Sequence, residues 1–309
     1  MKRRPFRRDD DTYLLQEFTA TAIRDQGRVG LMHPGDVAHR LYNGLRGKDL
    51  TKLVHVWEDG DGTVLGWTLL DPRGAGFDPQ ISNEARRRFP DLEKEINAWS
   101  EQTLLSLLRL RGSDATHMET DAAVGDIPRL RVLAELGWSP QDDEVMWLSR
   151  RSLAHIERPV LPDGYAVRSV RGIEEAGRVA EVHAAGFGSS WTPGLYERLM
   201  TSPGYSAERE FVVAAADGRL VAFCVTWPDT VNLAGLFEPV AVHPDYRRLG
   251  LGRAVMRAGM LAMREWGMRY AEVTYGVDNP ASGPLYRSEG FEPIERVILY
   301  RKPVGAGPR

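Results

Sequence analysis

The sequence predicts a mixed α/β protein in which one fold is used twice. Three observations carry this. The chain, at 309 residues, is about twice the size of an ordinary domain. Val54–Pro72 (VHVWEDGDGTVLGWTLLDP) and Phe211–Asp229 (FVVAAADGRLVAFCVTWPD) each alternate apolar and polar residues around an Asp/Gly turn, the pattern of a β-hairpin. Farther along each half, Asp126–Trp138 (DIPRLRVLAELGW) matches Asn279–Phe291 (NPASGPLYRSEGF) position for position, with Gly137 and Gly290 where a helix ends and an aromatic strand begins. The boundary falls near the midpoint, where Arg150–Tyr165 carries Pro159, Pro162 and Gly164 and reads as a linker. The expected division is residues 1–155 and 160–309.

In the second half a strand is expected near Tyr165–Val170 and a helix near Ile173–Gly186. A shorter helix follows near Pro193–Thr201, then the hairpin, then a strand over Val231–Val242. From Gly250 to Trp266, residues Leu251, Val255, Ala258, Ala262 and Trp266 recur at spacings of three and four, one face of a long helix. A strand at Tyr270–Tyr275, a helix at Pro280–Glu289 and a terminal strand pair near Phe291–Lys302 complete the order.

Composition removes several function classes. With 42% hydrophobic residues, 27% charged residues and a formal charge of -3, the chain has no global basic bias toward nucleic acid. No apolar run reaches bilayer length, and MKRRPFRRDD turns acidic where a signal peptide would turn apolar, so a cytoplasmic protein without a membrane partner is expected. One cysteine, Cys224, fits a reducing compartment and is expected to be buried in its hairpin strand. The histidines show no HExxH-like pairing, so no metal is expected. A monomer or a homodimer is equally compatible with these numbers.

The segment Val240–Met256 (VAVHPDYRRLGLGRAVM) runs from a strand through a glycine-bearing turn into a helix. Gly250 and Gly252 let the main chain approach a ligand closely, and the first-turn amides of the helix are unpaired donors. With Arg247, Arg248 and Arg253 beside them, they suit a diphosphate, each charge-assisted hydrogen bond contributing roughly 1.5–3 kcal/mol. The spacing fits neither a Walker loop nor a GxGxxG fingerprint.

At these residues the sequence resembles the GNAT family of N-acetyltransferases, whose signature Q/R-x-x-G-x-G/A is met by Arg247, Gly250 and Gly252. A second block, N-x-x-A/S-x-x-L-Y-x-x-x-G-F, is met by Asn279, Ser282, Leu285, Tyr286, Gly290 and Phe291. The resemblance implies two tandem GNAT folds, the second of them catalytic, and a sheet that splays where the strand ending at Val242 leaves its neighbour. Acetyl-CoA would lie in that gap. Its pantetheine arm would pair with Val240, Ala241 and Val242, and its pyrophosphate with the amides of Arg248, Leu249, Gly250, Leu251, Gly252 and Arg253. Phe237–Val255 (FEPVAVHPDYRRLGLGRAV) is similar to the mycothiol synthase group of tandem GNAT proteins.

Acetylation of an amine requires the amine to lose a proton and the leaving thiolate to gain or share one. By resemblance, Tyr286 is the proton donor and Asn279 fixes backbone or pantetheine geometry. Glu238 is the first candidate for the base. Four residues ahead of Val242 in a strand, it is expected on the same face; His243 in the turn is the alternative. For the acceptor, the resemblance points to Phe187 and Trp191 as an apolar wall and to Glu295 as an attractor of a cationic amine. The first half keeps the hairpin and the last helix but has no R-x-x-G-x-G; Leu133 stands where Tyr286 does, and Asp126 where Asn279 does. It is therefore expected to be a degenerate copy. The acceptor is read as a small-molecule primary amine, with a protein N-terminus or lysine, or a non-catalytic acyl-CoA sensor, as the competing readings.

Overall fold

The computed structural model describes residues 1–305. Along the chain the strands are β1 (Lys2–Pro5), β2 (Val54–Glu58), β3 (Val64–Asp71), β4 (Gly76–Ile81), β5 (His117–Ala123), β6 (Ser139–Ser152), β7 (Tyr165–Ser169), β8 (Glu210–Ala215), β9 (Leu220–Asp229), β10 (Ala234–Val242), β11 (Tyr270–Gly276) and β12 (Glu292–Pro303). Two compact units result, and no single cut separates them. The first takes Met1–Met32, Lys48–Leu148 and the chain from Ile294 onward; the second takes His33–Gly47 and Ser149–Pro293.

The division expected at 155–160 is corrected in two places. The terminal strand pair is one strand, β12, and it belongs to the first unit because it pairs antiparallel with β5 from Val297↔Ala123 to Pro303↔His117. In the other direction, His33–Gly47 is built into the second unit. His33 Nε2 lies 3.2 Å from the Ala234 carbonyl oxygen, and Gly35 packs so tightly that a Cβ there would stand 2.1 Å from Trp227 Cβ.

The first unit orders its strands β1-β2-β3-β4-β5-β12, antiparallel except for β4 with β5. Helix Leu92–Leu110 buries Leu92 and Ile96 against Trp57, Leu65 and Ile81. In the second unit the order is β11-β10-β9-β8-β7, again antiparallel except for one pair, β10 with β11. The helix predicted for Gly250–Trp266 forms over Leu251–Glu265; Leu251 and Val255 of the expected face are buried, but Ala258, Ala262 and Trp266 are only partly so, and Met256, Met260 and Met263 complete the buried side. Helices Ala176–Phe187 and Pro193–Met200 bring Val179, Val182, Tyr196 and Leu199 into one cluster with Phe223, Trp227, Leu236, Ala241 and the inserted Ala38. Each buried Val, Leu or Phe among them contributes about 1.5–3 kcal/mol. Strand β10 begins at Ala234 rather than Val231, because Asp229 Oδ1 accepts from the amides of Val231 (3.0 Å) and Asn232 (3.1 Å) and closes a turn first.

Candidate active site

Two irregularities of β10 create the site. Its parallel pairing with β11 covers only Ala234↔Tyr270, Gly235↔Ala271 and Leu236↔Glu272, so from Phe237 onward the edge of β10 on that side opens. On its other side, β10 pairs Phe237 with Thr226 and then Val240 with Cys224. Glu238 and Pro239 thus oppose the single residue Val225, a β-bulge at a proline that cannot donate to a ladder.

The bulge corrects one expectation. Before it, Leu236 faces the helix Ala176–Phe187 cluster; after it, Ala241, five residues on, faces the same cluster. Alternation has therefore shifted by one residue, and Val242 faces the other way, toward Gly252. Glu238 meets His39, whose neighbour Ala38 is in the cluster, so Glu238 and Val242 are on opposite faces. The Glu238 side chain is 29% exposed. Burial pushes its carboxyl upward, Asp36 adds to the rise, and His39 and Arg40 oppose it. Trp227 Nε1 donates to the Glu238 carbonyl at 2.7 Å and fixes the bulge.

Beyond β10 the chain turns through Pro244–Tyr246 into the helix at Leu251. His243 caps that turn, its Nδ1 accepting from the Asp245 amide at 3.3 Å. Gly250 sits at φ +78, a left-handed conformation that glycine adopts without strain. A Cβ on Gly252 would meet Val242 Cγ2 at 3.2 Å, so glycine keeps the helix start close against the end of β10. Arg247, Arg248 and Leu249 are exposed, and neither arginine has an ion-pair partner among the described residues. Arg253 differs: its Nε lies 3.0 Å from Glu289 Oε1, a carboxylate it shares with Arg257 and Arg151.

The second block closes the far side of the open edge. Asn279 Oδ1 accepts from the amides of Ala281 (3.0 Å) and Ser282 (3.1 Å), starting helix Ser282–Ser288. The Ser282 hydroxyl is buried without a hydrogen-bond partner. Tyr286 is buried against Tyr275 and Phe291, with ring centroids at 5.2 and 5.9 Å. Burial, reinforced by Glu238, pushes its hydroxyl above the usual tyrosine range.

On the face of Glu238 stands an aromatic wall. His183 is buried with both ring nitrogens unpartnered, stacked on Phe223 at 5.1 Å and flanked by Phe187 (5.0 Å) and Trp191 (4.9 Å). Burial holds its imidazole down to about 3, so it is neutral. Phe187 and Trp191 are thus brought together, and Arg46 of the inserted segment lies over the Trp191 ring at 4.7 Å. Glu295 lies on β12 in the first unit, where its Oε2 would stand 2.8 Å from a Cβ on Gly125. Sequence reasoning also missed Asp36, His39 and Asn43, which reach the site from the inserted segment.

An open-edged strand, a bulged carboxylate and a glycine-started helix flanked by exposed arginines meet in this unit. Residues 207–293 match the acetyltransferase (GNAT) domain family. Over 129 residues the chain is 30% identical to a putative ribosomal protein bS18-alanine N-acetyltransferase of Bacillus subtilis, covering 41% of this chain and 81% of that protein. The chain belongs to the GNAT family of N-acetyltransferases. A mycothiol acetyltransferase of Actinosynnema mirum is 28% identical over 301 residues, 92% of this chain and 94% of the relative. Among solved structures, a tandem GNAT protein from the clavulanic acid biosynthesis pathway covers 99% of both chains with a TM-score of 0.64 at 17% identity, which establishes a shared tandem GNAT fold. A GCN5-related N-acetyltransferase from Sphaerobacter thermophilus has the same TM-score at 19% identity, over 99% of this chain and 96% of that one. GNAT enzymes use acetyl-CoA as acetyl donor. Among the described residues no helix is long and apolar enough to cross a membrane.

Proposed function

We propose that the second unit transfers the acetyl group of acetyl-CoA to the primary amine of a small molecule by direct attack in a ternary complex. In this reading the first unit is a degenerate copy with a supporting role. The observation that carries it is the bulge, which sets a carboxylate with a raised proton affinity beside an open strand edge and ahead of a cationic helix start. The residues fit the donor. Val240–Val242 offer main-chain donors and acceptors to a pantetheine arm, the first-turn amides of Arg248–Arg253 would receive a pyrophosphate, and glycine at 252 lets the helix start lie close against the end of β10. Bound acetyl-CoA supplies the thioester carbon that the amine attacks.

Glu238 takes the proton the amine loses as the N–C bond forms. Tyr286 gives its proton to the sulfur as the C–S bond breaks; its raised pKa keeps that proton in place until a thiolate is there to receive it. Main-chain amides near Val242 stabilise the developing oxyanion. Phe187 and Trp191 give the acceptor an apolar wall, and the inserted segment at Glu238 favours a small acceptor over a protein chain. The relative named as a mycothiol acetyltransferase, matched almost end to end, also favours a small molecule; the shorter bS18-alanine relative favours a peptide N-terminus.

Thiol release from acetyl-CoA with L-cysteine, D-glucosamine, spermidine and an alanine-starting peptide tests the proposal. Turnover with a small amine and none with the peptide is the expected result. Turnover with the peptide alone makes the acceptor a protein, and coenzyme A binding without turnover for any amine makes the unit a sensor.

A further inference from the structure

The chain that leaves β6 walls a cavity of about 480 Å³ in the second unit, on the flank where helix Leu251–Glu265 meets the end of helix Ser282–Ser288. Arg151 and Ile156 line it from that chain, Arg257 and Arg264 from the long helix, and Glu289 and Gly290 from just past the short one. Glu289 is buried, and its one carboxylate serves three arginines. Arg257 grips it by a two-point fork (Nε to Oε2 2.9 Å, Nη2 to Oε1 3.0 Å), Arg253 lies at 3.0 Å and Arg151 at 3.5 Å. The other carboxylate on the wall, Glu157, is exposed and lies 2.6 Å from Arg257 Nη2. Arg264 is exposed and has no hydrogen-bond or ion-pair partner among the described residues.

We propose that this cavity is a second anion site, which binds a free phosphate group, inorganic or as a small monoester, apart from the phosphates of a cofactor at the helix start. The unspent donors set this chemistry. A guanidinium carries five N–H groups and no acceptor. Arg264 spends none of its five, Arg257 leaves Nη1 without a partner, and Arg151, which donates through Nη1 to the Glu289 carbonyl and through Nη2 to the His155 carbonyl at 2.9 Å, leaves Nε. The acceptors are already engaged: the Glu289 carboxylate by three arginines, and the Ser288 hydroxyl by Arg253 Nη2 at 3.3 Å. A wall with planar donors to spare and its acceptors taken suits the oxygens of a phosphate, which a guanidinium fork grips two bonds at a time.

The balance of charge agrees. Arg151, Arg257, Arg264 and, at the edge, Arg253 face only Glu157 and Glu289, which leaves an excess of positive charge for a group carrying about −1.5 to −2. Burial holds the Arg151 guanidinium below its usual range; Glu289 opposes that fall and Arg257 deepens it. An added anion relieves the repulsion between the two arginines. Position separates the cavity from the helix start, since at 1.5 Å per residue Arg264 stands roughly 21 Å along the helix from Gly250. The site does not depend on the acetyl-transfer reading.

The test is calorimetry on the full chain saturated with 3′-dephospho-coenzyme A, which fills the helix start and carries no 3′-phosphate. Inorganic phosphate, or glycerol 3-phosphate, is then added in about 0.15 M salt, where diffuse attraction is screened. Saturable heat is expected. Arg264→Gln changes an exposed residue without partners, so it should weaken phosphate binding roughly tenfold to a hundredfold while the denaturation midpoint stays where it was. No saturable heat, or heat that Arg264→Gln leaves unchanged, overturns the site. Saturation with coenzyme A in place of the dephospho form should leave phosphate binding intact. If it abolishes that binding, the cavity holds the coenzyme's own 3′-phosphate and the second ligand is overturned. Should 3′-dephospho-coenzyme A itself fail to bind, it is the acetyl-transfer reading that fails; phosphate is then titrated into the free chain, and Arg264→Gln decides the cavity as before.

Discussion

The two units share a backbone plan and differ in where their arginines go. In both, a parallel strand pair opens soon after it begins: β4 and β5 pair at Gly76↔Glu119, β10 and β11 over three positions. In both, a short helix follows the next strand and ends on a glycine at φ +77, Gly137 in one and Gly290 in the other. Even the cap is shared, with Asp126 Oδ1 accepting from Arg129 N at 3.3 Å as Asn279 Oδ1 accepts from Ser282 N. Yet Asp126 is also an anion, and Arg86 of the first unit lies 3.1 Å from it and 2.5 Å from Glu93, both carboxylates buried. Arg247 and Arg248 of the second unit have no such partners. Leu133, buried where Tyr286 stands in the other unit, also removes the hydroxyl.

The sharpest break of this contrast is Gly250→Asp. It forces a side chain into a left-handed residue and puts a carboxylate where the phosphates would bind. Losing two charge-assisted hydrogen bonds at roughly 1.5–3 kcal/mol each should weaken coenzyme A binding by about a hundredfold or more in calorimetry. Retained affinity would mean that the open helix start is not the cofactor loop. Next in size, Tyr286→Phe should make the second unit resemble the first at this position, with turnover down roughly ten- to a thousandfold and coenzyme A affinity kept. Unchanged turnover would remove the acid role.

Much of this was legible in the sequence, because it is local. The hairpins, helix Leu251–Glu265, the glycine turn and the Asn279 block each announce themselves within twenty residues and form where expected, although the buried face of that helix runs through Met256, Met260 and Met263 rather than Ala258, Ala262 and Trp266. What failed depended on pairing at a distance. Nothing in β12 states that its partner is β5, so the sequence does not reveal that this strand belongs to the first unit. Nothing in His33–Gly47 states that it packs on β9 and β10, so His39 went unnoticed. The face expected for Glu238 is different in kind: Pro239 inside a strand is a visible sign of a bulge, and a bulge inverts the alternation from which that face is predicted.

Arg86→Ala tests the other side of the contrast. It leaves Glu93 and Asp126 buried with one cation fewer, and breaking a buried pair costs about 3 kcal/mol or more. The denaturation midpoint should fall while coenzyme A affinity stays as it was. A change in that affinity would show that the first unit takes part in cofactor binding and that its arginines are not merely structural.

The smallest effect concerns how each unit stabilises a buried acid. Glu93 in the first unit is matched by arginines, whereas Glu210 in the second is matched by two phenols, Tyr196 and Tyr205, each donating at 2.5 Å. Neutral donors do not offset the cost of burying a charge, and burial raises the Glu210 carboxyl to about 7 despite both hydrogen bonds. Because the folded value lies above the unfolded one, the folded state holds a proton that the unfolded chain has already released. The stability this gives is complete below about pH 4.5 and is lost as pH rises through 7. At 1.36 kcal/mol per pKa unit, the full swing is roughly 3 kcal/mol. Glu210→Gln keeps the shape and an acceptor for one phenol but cannot titrate. The stability difference between parent and variant, measured by denaturant unfolding at pH 4.5 and pH 8, should therefore shift against the parent at the higher pH by up to that amount. A difference independent of pH would mean that Glu210 is ionised throughout, and that the phenols of the second unit hold a charge as effectively as the arginines of the first.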